Sequence, residues 1–159
     1  ISESARERIE SMITAGVAEG AQPILDGRGK TVEGLEQGSF VGPTILDGVT
    51  PEMSVATDEI FGPVMAIMHV PDLDAAVDVI NKSRFGNAAS LFTSSGLAAR
   101  EFKYRVNAGN IGINIGVAAA TASFPFGGKK DSFFGDLHGQ GPDAVDFFMD
   151  RKIVIERWL

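Results

Sequence analysis

The sequence predicts an α/β fold built on an open parallel sheet with flanking helices. Three short apolar runs, 64–70, 88–93 and 110–115, have the length and composition of buried strands. Between them, apolar residues recur at helical spacing in 73–80 and 97–106. Each connection from one strand to the next is long enough for a crossover between parallel strands. This alternation is typical of a parallel sheet covered by helices.

The N-terminal part predicts one helix and two strands. Ser4 and Glu7 match a capping box, in which the hydroxyl and the carboxylate satisfy free amides at the start of a helix. Gly20 is expected to end that helix. Strands are predicted at Pro23–Asp26 and Phe40–Leu46. The apolar face of the helix is expected to consist of Ile9, Met12, Ile13 and Val17.

Two more helices are expected between the central strands. Asp72 can accept hydrogen bonds from the first amides of the helix that follows it. The apolar face of that helix is Leu73, Ala76, Val77 and Ile80. The next helix places Ala98, Phe102 and Val106 on one face. Both faces predict helices that pack against the sheet.

The C-terminal tail differs from the rest of the chain. Asp146–Leu159 is rich in β-forming residues, and no helix follows to cover it. It is therefore predicted to be an oligomerisation strand, separate from the α/β part at 1–145. Ile153, Ile155 and Trp158 are the expected contacts. The alternative is an edge strand that pairs with the chain's own sheet.

Composition excludes several classes of function. A net charge of −7 over 159 residues argues against a nucleic-acid partner, because phosphate binding needs a clustered basic surface. With no cysteine, the chain can hold no disulfide, thiolate metal site or cysteine nucleophile. Its two histidines lack metal-ligand spacing, so no metal is predicted. No apolar run approaches the ~20 residues needed to cross a bilayer, so no membrane association is expected.

Two glycine-rich motifs lack the surrounding sequence that a nucleotide-binding or phosphate-binding role requires. Gly139–Ala144 matches G-x-G-x-x-A, but no apolar strand precedes it, as a dinucleotide fingerprint requires. Gly127–Ser132 has no glycine at the first position of a phosphate loop. His138 lies in a glycine-rich loop and is expected to serve a turn, while His69 is expected to pack at a strand end.

The segment Glu59–Val64 has the composition of a ribose-binding element. If its backbone is extended, Glu59 and Phe61 point to the same side, since residues two apart share a face. A carboxylate can accept two hydrogen bonds from a vicinal diol, and an aromatic ring provides a flat apolar wall. The alternative is the start of a buried strand with a solvent-facing glutamate.

Read in order, five segments of the chain resemble the C-terminal third of an aldehyde dehydrogenase subunit. A further segment, 132–141, is similar to the methylmalonate-semialdehyde dehydrogenase branch of that family and replaces the Gly-Arg-Glu element found in most members. The five segments are Phe40–Thr44, Glu59–Val64, Phe85–Thr93, Gly109–Asn114 and Phe124–Lys129.

The resemblance implies a reaction and a set of contacts. A cysteine thiolate attacks a semialdehyde, hydride passes to NAD, and the thioester gives its acyl group to coenzyme A. Glu59 would hold the nicotinamide ribose and Phe61 would pack beside the nicotinamide. Residues 116–124 would line the substrate tunnel, with Phe124 as its aromatic wall. The family also implies a homo-oligomer assembled through the tail, in the cytoplasm or, in a eukaryote, the mitochondrial matrix.

One departure from the family limits these expectations. The chain has no cysteine, so it contains no catalytic nucleophile, and its first residue is not methionine. We therefore expect a part of a longer enzyme that is inactive alone. The alternative is a non-enzymatic α/β module for assembly or ligand binding. The coding sequence upstream of residue 1 distinguishes the two, because a cysteine encoded there supports the enzyme and an adjacent start codon supports the module.

Overall fold

The computed structural model describes residues 2–159 of the chain. The chain forms two compact units, the first ending at Pro71 and the second comprising Asp72–Leu159. Each unit has its own hydrophobic core. The predicted division into a catalytic part at 1–145 and a tail at 146–159 concerns function and stays a prediction.

The first unit combines two helices with a three-stranded sheet. Strand β2 is central: β1 pairs with it in antiparallel orientation, and β3 pairs with it in parallel. In chain order the elements are α1 (Glu3–Ala18), β1 (Gln22–Leu25), β2 (Thr44–Asp47), α2 (Ser54–Thr57) and β3 (Val64–Ala66).

Helix α1 begins two residues earlier than the capping-box pattern predicts. Ser2 has an extended backbone, and its Oγ accepts a hydrogen bond from the Ala5 amide at 3.2 Å. Ser2 is therefore the N-cap, and the prediction based on Ser4 and Glu7 is wrong, since Ser4 already lies inside the first turn. The predicted end is confirmed, because the helix closes at Ala18 before Gly20 adopts a φ of 116°.

Three of the four residues predicted for the apolar face of α1 belong to the core of the first unit. Ile9 and Ile13 are fully buried, and Val17 packs at the edge of the same cluster, whereas Met12 is not part of it. Leu46 of β2 is equally buried, so the helix lies against the central strand. The buried hydrophobic residues of this cluster are Ile9, Ile13, Ala21, Leu46, Val49 and Val55.

Strand β3 is shorter and more exposed than its apolar sequence predicts. The expected strand at 64–70 was to be covered on both faces, but regular pairing covers only Val64–Ala66. Met65 is 59% exposed. Because β2 is the only strand that pairs with β3 within residues 2–159, β3 is an edge strand there. The prediction of a strand is confirmed, and the prediction of burial on both faces is wrong for this unit.

The second unit contains three helices and two small sheets. Strands β5 and β6 pair in parallel, from Ala88 opposite Asn110 to Leu91 opposite Ile113, while β4 and β7 pair in antiparallel orientation. The elements are α3 (Leu73–Lys82), β4 (Phe85–Gly86), β5 (Ala88–Leu91), α4 (Gly96–Arg105), β6 (Asn110–Ile113), β7 (Lys129–Lys130) and α5 (Pro142–Phe147).

The parallel crossover predicted for this region is confirmed. Helix α4 connects β5 to β6, and its Phe102 is 2% exposed. Helix α3 begins at the predicted cap, since the carboxylate of Asp72 accepts a hydrogen bond from the Ala75 amide at 2.8 Å. Val77 of α3 is buried in the same core as Phe102.

The structure belongs to the predicted α/β class but divides the sheet differently. One open parallel sheet was expected, whereas the strands form one three-stranded and two two-stranded sheets. Apolar periodicity locates strands without specifying their partners, because partner choice depends on hydrogen bonds between distant residues. The sequence pattern therefore could not predict that the β1–β2 and β4–β7 pairs are antiparallel. The predicted strand positions are not affected by this difference.

The tail forms no strand in the structure. Helix α5 extends to Phe147, and residues 149–159 have neither helix nor strand. Ile153, Ile155 and Trp158 are 86%, 93% and 89% exposed. The alternative, in which the tail pairs with the chain's own sheet as an edge strand, therefore fails, while assembly with a second subunit through the tail stays a prediction.

An ion pair fixes the loop after β1 to helix α1. The guanidinium of Arg28 donates to both oxygens of Asp26, at 2.6 Å from Nη2 to Oδ2, and also to Thr14 of α1 at 2.9 Å. Hydrogen bonds from the Arg28 side chain, and then from its amide, lower the pKa of Asp26 to about 2. The folded state therefore favours the ionised carboxylate.

This shift predicts an acid-dependent loss of stability. Because the folded pKa lies below the ordinary value of 3.8, the contribution of Asp26 is complete above that pH and is lost as the pH falls toward about 2. We expect Asp26→Asn to lower the free energy of unfolding at neutral pH but not near pH 2, measured by urea unfolding across this range. Asp58→Asn is the control, and equal losses at both pH values would contradict the assignment.

Candidate cofactor-binding site

The Glu59–Phe61 segment lies in the loop between helix α2 and strand β3. The amide of Asp58 donates to the carbonyl of Ser54 at 2.9 Å, which closes α2 just before the loop. At the other end, the Thr44 amide donates to the Pro63 carbonyl at 2.9 Å, which joins the loop to β2. The loop is therefore anchored on both sides to the first unit.

Glu59 and Phe61 are both exposed, but not for the predicted reason. Phe61 has a φ of 49°, in the left-handed region, so the assumed extended backbone does not hold at this residue. Its ring is 76% exposed. The carboxylate of Glu59 forms no hydrogen bond with any residue in 2–159, so its oxygens are available to a ligand. These two side chains fit the needs of a ribose diol and an aromatic ring.

Ile60, between the two exposed residues, points the other way. It is half-buried and packs on the core cluster of α1 and β2. Its carbonyl accepts a hydrogen bond from Arg8 Nη2 of α1 at 2.6 Å. No sequence pattern predicts this contact, because Arg8 lies 52 residues away and has the pattern of a solvated helix residue.

Phe124 belongs to the second unit and is 65% exposed. Its amide donates to the Thr121 carbonyl at 2.9 Å, which forms a turn. The neighbouring Gly127 is held by Asn110, whose Oδ1 accepts from the Gly127 amide at 3.1 Å and whose Nδ2 donates to the Gly127 carbonyl at 2.8 Å. This two-point contact fixes the turn against the start of β6.

Close backbone packing explains glycine at this point. A Cβ on Gly109 would lie 2.1 Å from the Gly128 amide nitrogen. No side chain fits in that space, so the Phe124–Gly128 turn can approach the start of β6 only because both segments have glycine at the contact. The glycines at 109 and 127 therefore have a structural cause.

A cavity of about 310 Å³ lies beside this turn. The predicted tunnel segment contributes residues 116–119 to its wall, with Ser90 and Asn110 on the sheet side. Phe126, not Phe124, is the aromatic residue that lines it. The role of Phe124 as a substrate wall stays a prediction.

Lys130 fixes strand β7 to the end of helix α3. Its Nζ donates to the carbonyls of Ile80, Asn81 and Ser83 at 3.2, 3.1 and 2.9 Å. The last carbonyls of a helix have no partner inside the helix, and a positive charge there also interacts favourably with the helix dipole. Lys130 thereby holds the strand that follows the Phe124–Gly128 turn.

Both histidines have structural partners. His138 stacks on Phe133 with ring centroids 4.1 Å apart, and its amide donates to Asp143 of α5 at 3.2 Å. The turn role expected of His138 agrees with these contacts. His69 Nε2 lies 2.6 Å from Asp47 Oδ1, just beyond the end of β3. The hydrogen bond with His69 is the main reason that the pKa of Asp47 lies below its ordinary value, and a hydrogen bond from the Gly48 amide is the second.

Neither a metal-ligand cluster nor a membrane-spanning helix is found among residues 2–159. Within residues 2–159, no group of three or more potential acidic or histidine ligands could hold a metal ion. None of the helices formed by those residues has both the length and the apolar character needed to cross a bilayer.

The sequence matches the aldehyde dehydrogenase family over residues 1–154. The chain belongs to this family. A methylmalonate-semialdehyde dehydrogenase [acylating] of Arabidopsis thaliana, named as mitochondrial, is 49% identical over 158 residues, which are 99% of this chain and 26% of that protein. Malonate-semialdehyde dehydrogenase 1 of Geobacillus kaustophilus is 46% identical. That match covers 99% of this chain and 32% of the Geobacillus protein.

Solved structures agree with this assignment. A methylmalonate-semialdehyde dehydrogenase from Oceanimonas doudoroffii superposes with a TM-score of 0.97 and 42% identity, over 100% of this chain and 33% of its own. A Sinorhizobium meliloti 1021 protein, solved in complex with NAD, gives a TM-score of 0.95 at 37% identity, over 98% and 32%. The chain therefore spans about a third or less of the aldehyde dehydrogenases it resembles.

Family membership confirms the resemblance read from the sequence. All five segments, including the loop at 59–64 and the turn at 124–129, lie inside the matched range. The tail residue Trp158 lies outside it. The binding roles of Glu59, Phe61 and Phe124 are not settled by the match and are taken up below as proposals.

The contacts of Lys130 predict a stabilising role in the second unit. Lys130→Met retains most of the aliphatic stem but leaves three helix-terminal carbonyls without their charged partner. We expect the free energy of unfolding to fall by about 1–3 kcal/mol, measured by thermal and urea unfolding. Lys129→Met, on the neighbouring exposed side chain, is the matched control. Equal stability of the two variants would show that the Lys130 hydrogen bonds contribute little.

Proposed function

We propose that this chain forms part of an NAD-dependent, coenzyme A-acylating dehydrogenase of methylmalonate or malonate semialdehyde. The observation that carries the proposal is the 49% and 46% identity, over 99% of the chain, to proteins with those names. Close identity along almost the whole chain extends beyond the family motifs. No observation in the structure favours the alternative of a non-enzymatic module.

The loop at 59–61 supports an NAD-binding role. Glu59 offers two free carboxylate oxygens for the ribose hydroxyls, and the exposed ring of Phe61 offers a face for the nicotinamide. NAD, when bound, accepts the hydride released in aldehyde oxidation. The proposed role of these residues is to orient the cofactor.

The cavity in the second unit supports a substrate-facing role. Residues 116–119 are small and largely apolar, and Phe126 closes one side. Such a wall fits the carbon chain of a short semialdehyde. Phe124, exposed on the same turn, would pack on the substrate from outside this cavity.

The remaining chemistry is proposed to come from outside these 159 residues. The sequence contains no cysteine, so the thiolate that attacks the aldehyde must be supplied elsewhere in the enzyme. The proposal of coenzyme A as acyl acceptor rests on the "acylating" name of the Arabidopsis relative. That relative is mitochondrial by name, in keeping with the proposed matrix location in a eukaryote and cytoplasm in a bacterium.

Substitution of Glu59 tests the cofactor site. In the intact enzyme that contains this chain, Glu59→Gln removes a charge-assisted hydrogen bond to the ribose. We expect transition-state stabilisation to fall by about 1–3 kcal/mol, seen in kcat or in KM for NAD at saturating aldehyde. Glu52→Gln makes the same change on an exposed glutamate of the first unit. Unchanged kcat and KM in Glu59→Gln would show that the glutamate is only solvated.

Exposed apolar side chains support homo-oligomer assembly through the tail. Ile153, Ile155 and Trp158 leave a large apolar area in water, and burial of each could contribute roughly 1.5–3 kcal/mol. We expect the chain to associate between micromolar and tens of micromolar concentration in light scattering. Replacement of Ile153 and Ile155 by serine should abolish association, whereas Lys152→Ser should not. A monomer at every concentration would contradict the assembly role.

A further inference from the structure

Phe61 has a backbone conformation that needs outside support. Its φ of 49° is in the left-handed region, where the Cβ of any residue other than glycine is crowded by neighbouring backbone. Such conformations persist when the surrounding contacts determine them, and they cluster at ligand-binding sites. The orientation of the Phe61 ring therefore depends on whatever holds the adjoining peptide groups.

Arg8 holds the peptide group that sets this angle. The carbonyl of Ile60 and the amide of Phe61 form a single planar peptide, and rotation of that plane about the N–Cα bond of Phe61 is the φ angle itself. Arg8 Nη2 donates to that carbonyl at 2.6 Å. Its Nη1 lies 3.2 Å from Met12 Sδ, one helical turn further along α1, so the guanidinium is held at two points.

The other contacts of the loop do not fix the direction of the Ile60 carbonyl. Ile60 is anchored in the core by its side chain, and a Cβ on Gly62 would lie 2.9 Å from Ile9 Cδ1, so both neighbours of Phe61 lie close to α1. These apolar contacts fix the position of the chain but not the direction of a carbonyl. Within residues 2–159, Arg8 donates the only side-chain hydrogen bond to the segment 59–62.

We propose that Arg8 is a positioning residue for the nicotinamide site. It holds the Ile60–Phe61 peptide so that Phe61 keeps its left-handed φ, and it thereby sets the Phe61 ring and the adjacent Glu59 for the cofactor. The inference rests on the proposed function of these two residues in NAD binding. Within residues 2–159, the Arg8 side chain hydrogen-bonds only the Ile60 carbonyl and Met12 Sδ.

The conformational part of the proposal is tested on the 159-residue chain without any cofactor, with Ile153→Ser and Ile155→Ser in every variant to prevent association through the tail. Arg8→Met removes every donor and retains most of the stem, while Arg8→Lys keeps a charged donor. We expect Arg8→Met to change the three-bond coupling between the amide and α protons of Phe61, which reports φ, and to speed exchange of the neighbouring amides. Arg6→Met is the matched control, since Arg6 lies on the same helix and its side chain hydrogen-bonds only Glu3 within residues 2–159. An unchanged Phe61 coupling in Arg8→Met overturns the inference, whatever NAD does.

The functional part is tested in the intact enzyme. If only a fraction of the loop has the competent conformation, the apparent affinity for NAD falls by that fraction. We expect Arg8→Met to raise KM for NAD by about 3- to 10-fold with kcat at saturating NAD nearly unchanged. Arg8→Lys should recover part of the affinity, and Arg6→Met should behave as wild type.

Two further outcomes separate this inference from the proposed function. If Arg8→Met alters Phe61 but both Arg8→Met and Glu59→Gln leave the kinetics unchanged, the NAD-binding role of the loop is wrong and the positioning role fails with it. If Glu59→Gln weakens NAD use while Arg8→Met alters the loop without affecting KM, the cofactor site stands and the role of Arg8 is overturned.

Discussion

Burial of Ile9 and Ile13 against strand β2 is the contact on which the proposed cofactor loop depends. These two residues and Leu46 are at most 1% exposed, so helix α1 is fixed against the central strand. Ile60 packs on the same cluster, which places the loop directly beside α1. Loss of this packing would displace Arg8, Ile60 and both exposed side chains together, because they share one support.

The second unit positions its turn by polar contacts rather than by a large core. Asn110 binds both the amide and the carbonyl of Gly127, and Lys130 binds three carbonyls at the end of α3. Asn110 belongs to β6 and Lys130 to β7, so the position of the turn is set by the β5–β6 and β4–β7 pairs. Fixed backbone of this kind suits a wall for a small substrate, since its shape does not depend on mobile side chains.

The proposed cofactor loop of the first unit and the turn of the second unit thus differ in how they are held. At the cofactor loop a half-buried Ile60 anchors two exposed neighbours, and a single charged side chain sets the direction of a peptide. At the turn of the second unit, glycine contacts bring backbone against backbone, and a Cβ added to Gly109 would lie only 2.1 Å from the Gly128 nitrogen. The first arrangement leaves side chains free for a ligand, and the second excludes them.

The sequence by itself determined the local elements and the family. The helices at α1, α3 and α4, the parallel β5–β6 crossover and the order of the motifs all follow from patterns within short stretches, such as Asp72 capping α3 or Gly20 ending α1. The residue types of Glu59 and Phe61 also pointed to the loop as a candidate site. These features depend on neighbours along the chain, which a sequence displays directly.

Tertiary structure decided how those elements are joined and which way the site residues point. The strands divide among three sheets, Phe61 leaves the extended conformation, and Arg8 reaches the Ile60 carbonyl 52 residues away. Each of these depends on hydrogen bonds between groups that are distant in sequence. A local pattern records which groups are available but not which distant partner they meet, so only the folded chain could specify them.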